Sequence, residues 1–178
     1  MDGGRGPRGW GMEPEIPVPL ERAREWRARL AEQGRRVALT NGCFDLLHSG
    51  HVRLLTAARS AADALVVAVN DDASVARLKG PGRPLVPLAE RAELLAALEP
   101  VDLVVAFGED DPLAVILALR PDVLVKGADW PESRIVGARE VRGWGGSVLR
   151  VPLEPGVSTS ALVHRIRVRL GDRDDGSP

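Results

Sequence analysis

Short runs of Val, Leu and Ala recur along this chain, each separated from the next by a longer stretch of helical period, and that alternation leaves few folds open. Residues 36–40 (RVALT), 64–70 (ALVVAVN), 101–107 (VDLVVAF), 122–125 and 147–151 are expected to be strands. The second run is apolar almost throughout, which suits a strand covered on both faces. Residues 20–33 set Leu20, Ala23, Trp26 and Leu30 on one helical face, with Gly34 as a stop. Further helices are expected over residues 51–61, 88–99 and 112–119 and near 136–143, and a last one opens at Ser158 or Thr159 and runs through Ile166. Asp71 and Asp72 can cap a short helix ahead of the irregular KGPGRPLVP, and Asp111 can cap the helix at Pro112. Such units, joined by right-handed crossovers, build an α/β, Rossmann-like doubly wound sheet of about five parallel strands with helices on both faces.

The chain's 178 residues suit one core, and 44% apolar with 28% charged residues excludes an intrinsically disordered polymer. The reading is a single domain over 20–170, a flexible segment over 1–19 that is dense in Gly, Pro and Arg, and a disordered polar tail over 171–178. A net charge of -1 argues against a partner held by bulk phosphate neutralisation, so no nucleic acid is expected and any anion site must be local. The single Cys43 excludes an internal disulfide and fits a reducing compartment. No apolar run approaches the ~20 residues of a membrane span, and the start lacks a secretory h-region, so no membrane is expected and a cytoplasmic location is the default.

In a doubly wound sheet, ligands bind beyond the carboxyl ends of the strands. The loop after the first strand reads NGCFDLLHSGH and holds two of the three histidines, His48 and His51, around Ser49-Gly50. His51 falls in the first turn of the next helix, where free amides and the positive end of the dipole favour a phosphate. Gly42 and Gly50 let an anion approach the backbone. The same spacing also suits ordinary surface histidines or a cap. A zinc site is disfavoured because no clear third ligand accompanies them. Asp45 can complete a ligand set or bond to loop amides. Lys79 lies in the irregular loop after the second strand, and Ser158, Thr159 and Ser160 open the last helix, where capping and phosphate binding are both open.

TNGCFDLLHSGHVRLL resembles the HxGH signature of the nucleotidyltransferase superfamily. The similarity continues through VAVNDDASVARLKGPGRPLVPLAERAELLAALEPVD, PDVLVKGADW, VRGWGG and GVSTSALV, in the order and spacing of the bacterial D-glycero-β-D-manno-heptose 1-phosphate adenylyltransferases, over residues 36–166. That resemblance implies transfer of AMP from ATP to a heptose 1-phosphate, giving ADP-heptose and pyrophosphate. It implies catalytic roles for His48, His51 and Lys79. Nucleotide binding is implied for Thr40, Asn41, Gly42, Phe44, Gly50, Lys126, Gly127, Asp129, Ser158, Thr159 and Ser160, and substrate binding for Asp45 and Arg83. Mg²⁺ is expected to ride mainly on the nucleotide phosphates, with no metal ligands from the protein, and a homodimer is the family's habit. Relatives often fuse this domain to a sugar kinase, so the kinase step is expected from other proteins.

Alternatives stay open at this stage. A cytidylyltransferase acting on a polyol or alcohol phosphate shares the signature, although such enzymes place an arginine where this chain has Leu153. A module that binds nucleotide without turnover shares the fold. Trp130 can stack on a base or cover apolar surface. Arg83 and Arg91 can bind substrate phosphate or form structural ion pairs, the helical Arg91 being the better structural candidate. Cys43 reads as a packing residue, and Trp144 as a core or oligomer contact.

Overall fold

A computed structural model of the chain describes residues 15–129, 131–152 and 156–171. The expectations resting on Trp130 and Leu153, and most of those for the two ends of the chain, lie outside the described residues. In chain order the elements are α1 (Leu20–Glu32), β1 (Val37–Gly42), α2 (Ser49–Ser60), β2 (Ala64–Asn70), α3 (Asp72–Lys79), α4 (Leu88–Ala97), β3 (Leu103–Phe107), α5 (Leu113–Leu119), β4 (Val123–Gly127), a 3₁₀ turn at Glu132–Arg134, α6 (Ala138–Gly143), β5 (Ser147–Val151) and α7 (Thr159–Leu170).

The five strands pair in the order β3-β2-β1-β4-β5, all parallel. The chain first winds outward from β1 to β3, then restarts on the other side of β1 with β4. The crevice beyond the carboxyl ends of β1 and β4 is therefore the topological switch point, where a ligand can enter between diverging loops. Each face of the sheet buries its own core. Ala23, Trp26 and Leu30 of α1, with Val115, Ile116 and Leu119 of α5, cover one face through Leu39, Val66, Val105 and Leu124. Leu55 and Ala58 of α2 and Ala92 and Leu95 of α4 cover the other through Ala38, Val67, Val104 and Val125. Because both faces are covered, β2 is buried along its whole length, which is why its sequence is a continuous apolar run.

Element ends differ from the sequence reading where polar groups intervene. β1 continues two residues past Thr40 because Asn41 and Gly42 still pair with Ala68 and Val69 of β2. β3 starts at Leu103, since the Val101 amide turns back to Leu98 O and Asp102 accepts from the Leu65 amide. α2 begins at Ser49, two residues early, and α7 runs on to Leu170 before Gly171 adopts the left-handed conformation at φ 78°. Trp144 packs on the α1/α5 core and donates through Nε1 to Pro121 O at 3.0 Å.

Candidate active site

Every residue expected at the site borders one cavity of about 700 Å³ over the carboxyl edge of the sheet. β1 delivers Thr40, Asn41 and Gly42; the loop behind it delivers Phe44, Asp45 and His48; α2 begins with Gly50 and His51 on the rim. Lys126 and Gly127 close β4, Asp129 follows, and Ser158, Thr159 and Ser160 open α7. Lys79 and Arg83 come from the end of α3 and the loop beyond it. Residues that the sequence did not single out for the site also line it, notably Asn70, Asp110, Asp111 and Arg134, together with Cys43.

The two histidines are in ring contact. Their centroids are 3.8 Å apart with planes 20° apart, and Phe44 tilts against His51 at 5.0 Å. His48 is the N-cap residue of α2 but makes no side-chain cap, so its ring is free for other work. At Gly50 a Cβ would sit 3.0 Å from His48 Nδ1 and 3.2 Å from Val157 Cγ1, so the missing side chain also makes room for the imidazole. Burial lowers the affinity of both rings for protons, and the neighbouring His48 adds to this at His51, which is pushed down to about 4. Near neutral pH the pair is uncharged, so each ring has one N–H to donate. Thr40 Oγ1, Asn41 Oδ1, His48 Nδ1 and His51 Nδ1 are all buried without a hydrogen-bond partner among the described residues. Such atoms are costly singly, and four around one cavity mark a place for polar ligand atoms.

Positive charge enters from other elements. Lys126 is half-buried, its Nζ 3.4 Å from Asn41 O, and burial pushes its ammonium down to about 8 against the pull of Asp129. Lys79 is exposed on the rim. Arg83, in contrast, is already engaged: its guanidinium donates to Asp45 Oδ2 at 2.7 Å, while Asp45 Oδ1 accepts from the Leu85 and Val86 amides. Burial pushes the Asp45 carboxyl up, but these bonds outweigh it and hold it below the usual range. Asp45 thus ties down the loop that carries Arg83, the second of the two uses its sequence position allowed. At α7 the Ser158 hydroxyl accepts from the Ala161 amide and the Thr159 hydroxyl donates to Leu46 O at 3.4 Å. Capping therefore occupies Ser158 and the Ala161 amide, and the amides of Thr159 and Ser160, on residues that border the cavity, have no acceptor among the described residues.

Two neighbours complete the surroundings of the site, and Arg91 has the structural place that the sequence favoured for it. Cys43 borders the cavity with Sγ 4.0 Å from Asn70 Oδ1, and burial pushes its thiol up, which disfavours a nucleophile. Arg91 is wholly buried and lies behind the site. Its guanidinium donates to Cys43 O at 2.6 Å, Asn70 O at 2.8 Å, Val86 O at 2.9 Å and Asp72 Oδ1 at 2.6 Å, so one side chain clamps the ends of β1 and β2 to α3 and the Asp45 loop.

Residues 39–165 match the cytidylyltransferase-like family. The bifunctional protein HldE of Gluconacetobacter diazotrophicus is 59% identical over 153 residues, covering 85% of this chain and 32% of that protein. HldE of Acidiphilium cryptum is 57% identical over 147 residues, covering 83% of this chain and 29% of that protein. The chain thus spans about a third of the length of the curated relatives it matches. Among solved structures, the lipopolysaccharide core biosynthesis protein of Thermoplasma volcanium aligns with a TM-score of 0.56 at 28% identity, over 68% of this chain and 98% of that one. Pantoate-beta-alanine ligase of Francisella tularensis aligns with a TM-score of 0.58 at 16% identity, over 93% of this chain and 82% of the other, a likeness of fold alone.

Proposed function

This chain belongs to the cytidylyltransferase-like family, and from that premise we propose that it transfers AMP from ATP to D-glycero-β-D-manno-heptose 1-phosphate, releasing pyrophosphate. The observation that carries the reading is the stacked His48–His51 pair at the start of α2, beside Lys126 and the open amides of α7, at the switch point of the sheet. The HldE relatives at 50–59% identity support the adenylyl branch, in keeping with the heptose blocks of the sequence.

The chemistry asks little proton transfer of the protein. The acceptor's phosphate is largely ionised near neutral pH, so its oxygen attacks the α-phosphorus directly, the bond from that phosphorus to the bridging oxygen breaks, and pyrophosphate takes the electron pair. What the protein supplies is alignment of two anions and donors for the charge that builds on the α-phosphate. His48 and His51 donate to that phosphate, and the α2 amides add the field of the helix start. Lys126 contacts it from the sheet edge, and Lys79 closes over the triphosphate from the rim. The amides of Thr159 and Ser160 receive the outgoing pyrophosphate. ATP would be bound as its Mg²⁺ complex, with the ion held mainly by the nucleotide phosphates.

No helix among the described residues is long and apolar enough to cross a membrane. A cytoplasmic location is part of the proposal, since ATP and a sugar phosphate are cytoplasmic metabolites. A homodimer is part of the same proposal: α7 buries none of its residues, with Val168 and Leu170 left 62% and 81% exposed. A light-scattering mass of one chain rejects the dimer.

The deciding experiment measures pyrophosphate release with each of the four nucleoside triphosphates and with heptose 1-phosphate or glycerol phosphate. ATP with heptose 1-phosphate is expected to be fastest, and His51→Ala to lose orders of magnitude in rate while remaining folded. Preference for CTP and glycerol phosphate moves the chain to the cytidylyl branch, and nucleotide binding without turnover makes it a non-catalytic module.

A further inference from the structure

Arg134 borders the cavity from the segment between β4 and α6, and that segment is fixed. The Arg134 and Ile135 amides close a 3₁₀ turn onto Pro131 O and Glu132 O at 2.9 and 3.0 Å. Ile135 is sunk in the α1/α5 core at 6% exposure. Gly137, at φ 83°, passes so close to Ile116 that a Cβ would lie 2.6 Å from its Cδ1. Glu132 is taken up by Arg142, and among the described residues no carboxylate pairs with Arg134.

The other arginines near the cavity are spent. Arg83 is paired with Asp45, Arg77 with Asp110 at 2.8 Å, and Arg91 is buried on carbonyl oxygens and Asp72. With both imidazoles uncharged near neutral pH, two lysines would otherwise face a triphosphate and a second phosphate together. The Arg134 guanidinium, with no carboxylate partner among the described residues and forked for oxyanions, meets that need.

Its neighbours decide which phosphate it takes. Asp110 and Asp111 border the same cavity from the loop after β3, and Asp111 uses one oxygen on the Leu113 amide and has no ion pair among the described residues. Carboxylates repel a triphosphate tail but accept hydrogen bonds from the hydroxyls of a polyol. The Arg134 segment also packs on the α5 face of the sheet through Ile135, whereas α2 covers the opposite face, and the first residue of α7 bonds to Leu46 O in the loop that leads into α2. In-line displacement requires the entering phosphate and the leaving pyrophosphate on opposite sides of the α-phosphorus.

We infer that Arg134 holds the phosphate of the acceptor, a phosphorylated polyhydroxyl compound, across the cavity from the triphosphate. This rests on the nucleotidyl-transfer reading above. In the full chain, Arg134→Gln is expected to raise the acceptor KM about tenfold or more, while the Kd for a non-hydrolysable ATP analogue, measured by calorimetry, changes less than about twofold. Arg134→Lys is expected to recover part of the loss, keeping the charge without the fork. An unchanged acceptor KM, or an ATP-analogue Kd weakened as much as the acceptor KM, overturns the inference and leaves the reading standing. If wild type prefers another phosphorylated acceptor, the heptose assignment falls while the same Arg134 comparison on that acceptor still decides; if it turns over none, both fall.

Discussion

His48 and His51 lie ring on ring at 3.8 Å, and one consequence is electrostatic. Two charged imidazoles at that distance repel, and burial already disfavours the charge on each. The unliganded site therefore holds two neutral donors, and the anion that binds there changes their proton affinity.

Proton uptake is the first expected outcome. His51 is pushed down to about 4 against 6.5 in an unfolded chain, so between these values the unfolded state binds more protons and stability falls as pH drops. Bound triphosphate reverses the bias and raises the affinity of the ring. Calorimetry at pH 5 to 6, in buffers of different ionisation enthalpy, should show ATP binding coupled to proton uptake by wild type and less by His51→Gln. Equal uptake in the two assigns the protons elsewhere.

Gly50 separates activity from stability. In Gly50→Ala the new methyl stands 3.0 to 3.2 Å from the His48 ring and Val157, so the ring must shift. Alanine is the better helix former by about 1 kcal/mol, which offsets the crowding. We expect kcat to fall about tenfold with Tm nearly unchanged, since a displaced donor costs of order 1.4 kcal/mol in the transition state. A mutant with wild-type kcat means that His48 has room to spare.

For Arg91 the effect is on the fold. Arg91→Met leaves the carbonyl oxygens of Cys43, Asn70 and Val86 without that donor in a buried setting. The expected loss is about 3 kcal/mol. For a domain of this size that lowers Tm by roughly 6–12 °C, read by thermal unfolding. A shift within roughly 1 °C would show that other bonds hold the three segments together.

Lys126 predicts an alkaline limb. Its ammonium is pushed down to about 8, so ATP affinity should weaken as pH rises through that value. Folding does not weaken with it: the folded chain prefers the neutral amine, so between about 8 and the unfolded value of 10.5 this group's contribution to stability increases with pH. In Lys126→Arg the limb should disappear, because guanidinium stays charged. Persistence of the limb in that variant attributes it to another group.

Much of this site is legible in the linear chain because its parts are local. His48, Gly50 and His51 share one helix start, and Ser158 to Ser160 share another, so spacing alone makes both candidates for anion binding, with capping as the other use. Arg91 is different: its helical position favours a structural ion pair over substrate phosphate, but only the fold brings Cys43 O, Asn70 O and Val86 O around it. Arg134 carries no local signal, since its place on the cavity depends on Ile135 and Gly137 packing onto α5, far away in sequence.

The order of apolar runs and helical stretches by itself determined a five-stranded parallel sheet wound on both sides, because a strand that must be covered twice has to be apolar throughout and needs a crossover to reach its neighbour. Tertiary structure alone decided which charges are free at the cavity. Whether Arg83 meets Asp45, Arg91 meets Cys43 O, or Arg134 meets no carboxylate among the described residues is a matter of distances between segments that lie far apart in the chain, and burial then sets the proton affinity of His51 and Lys126.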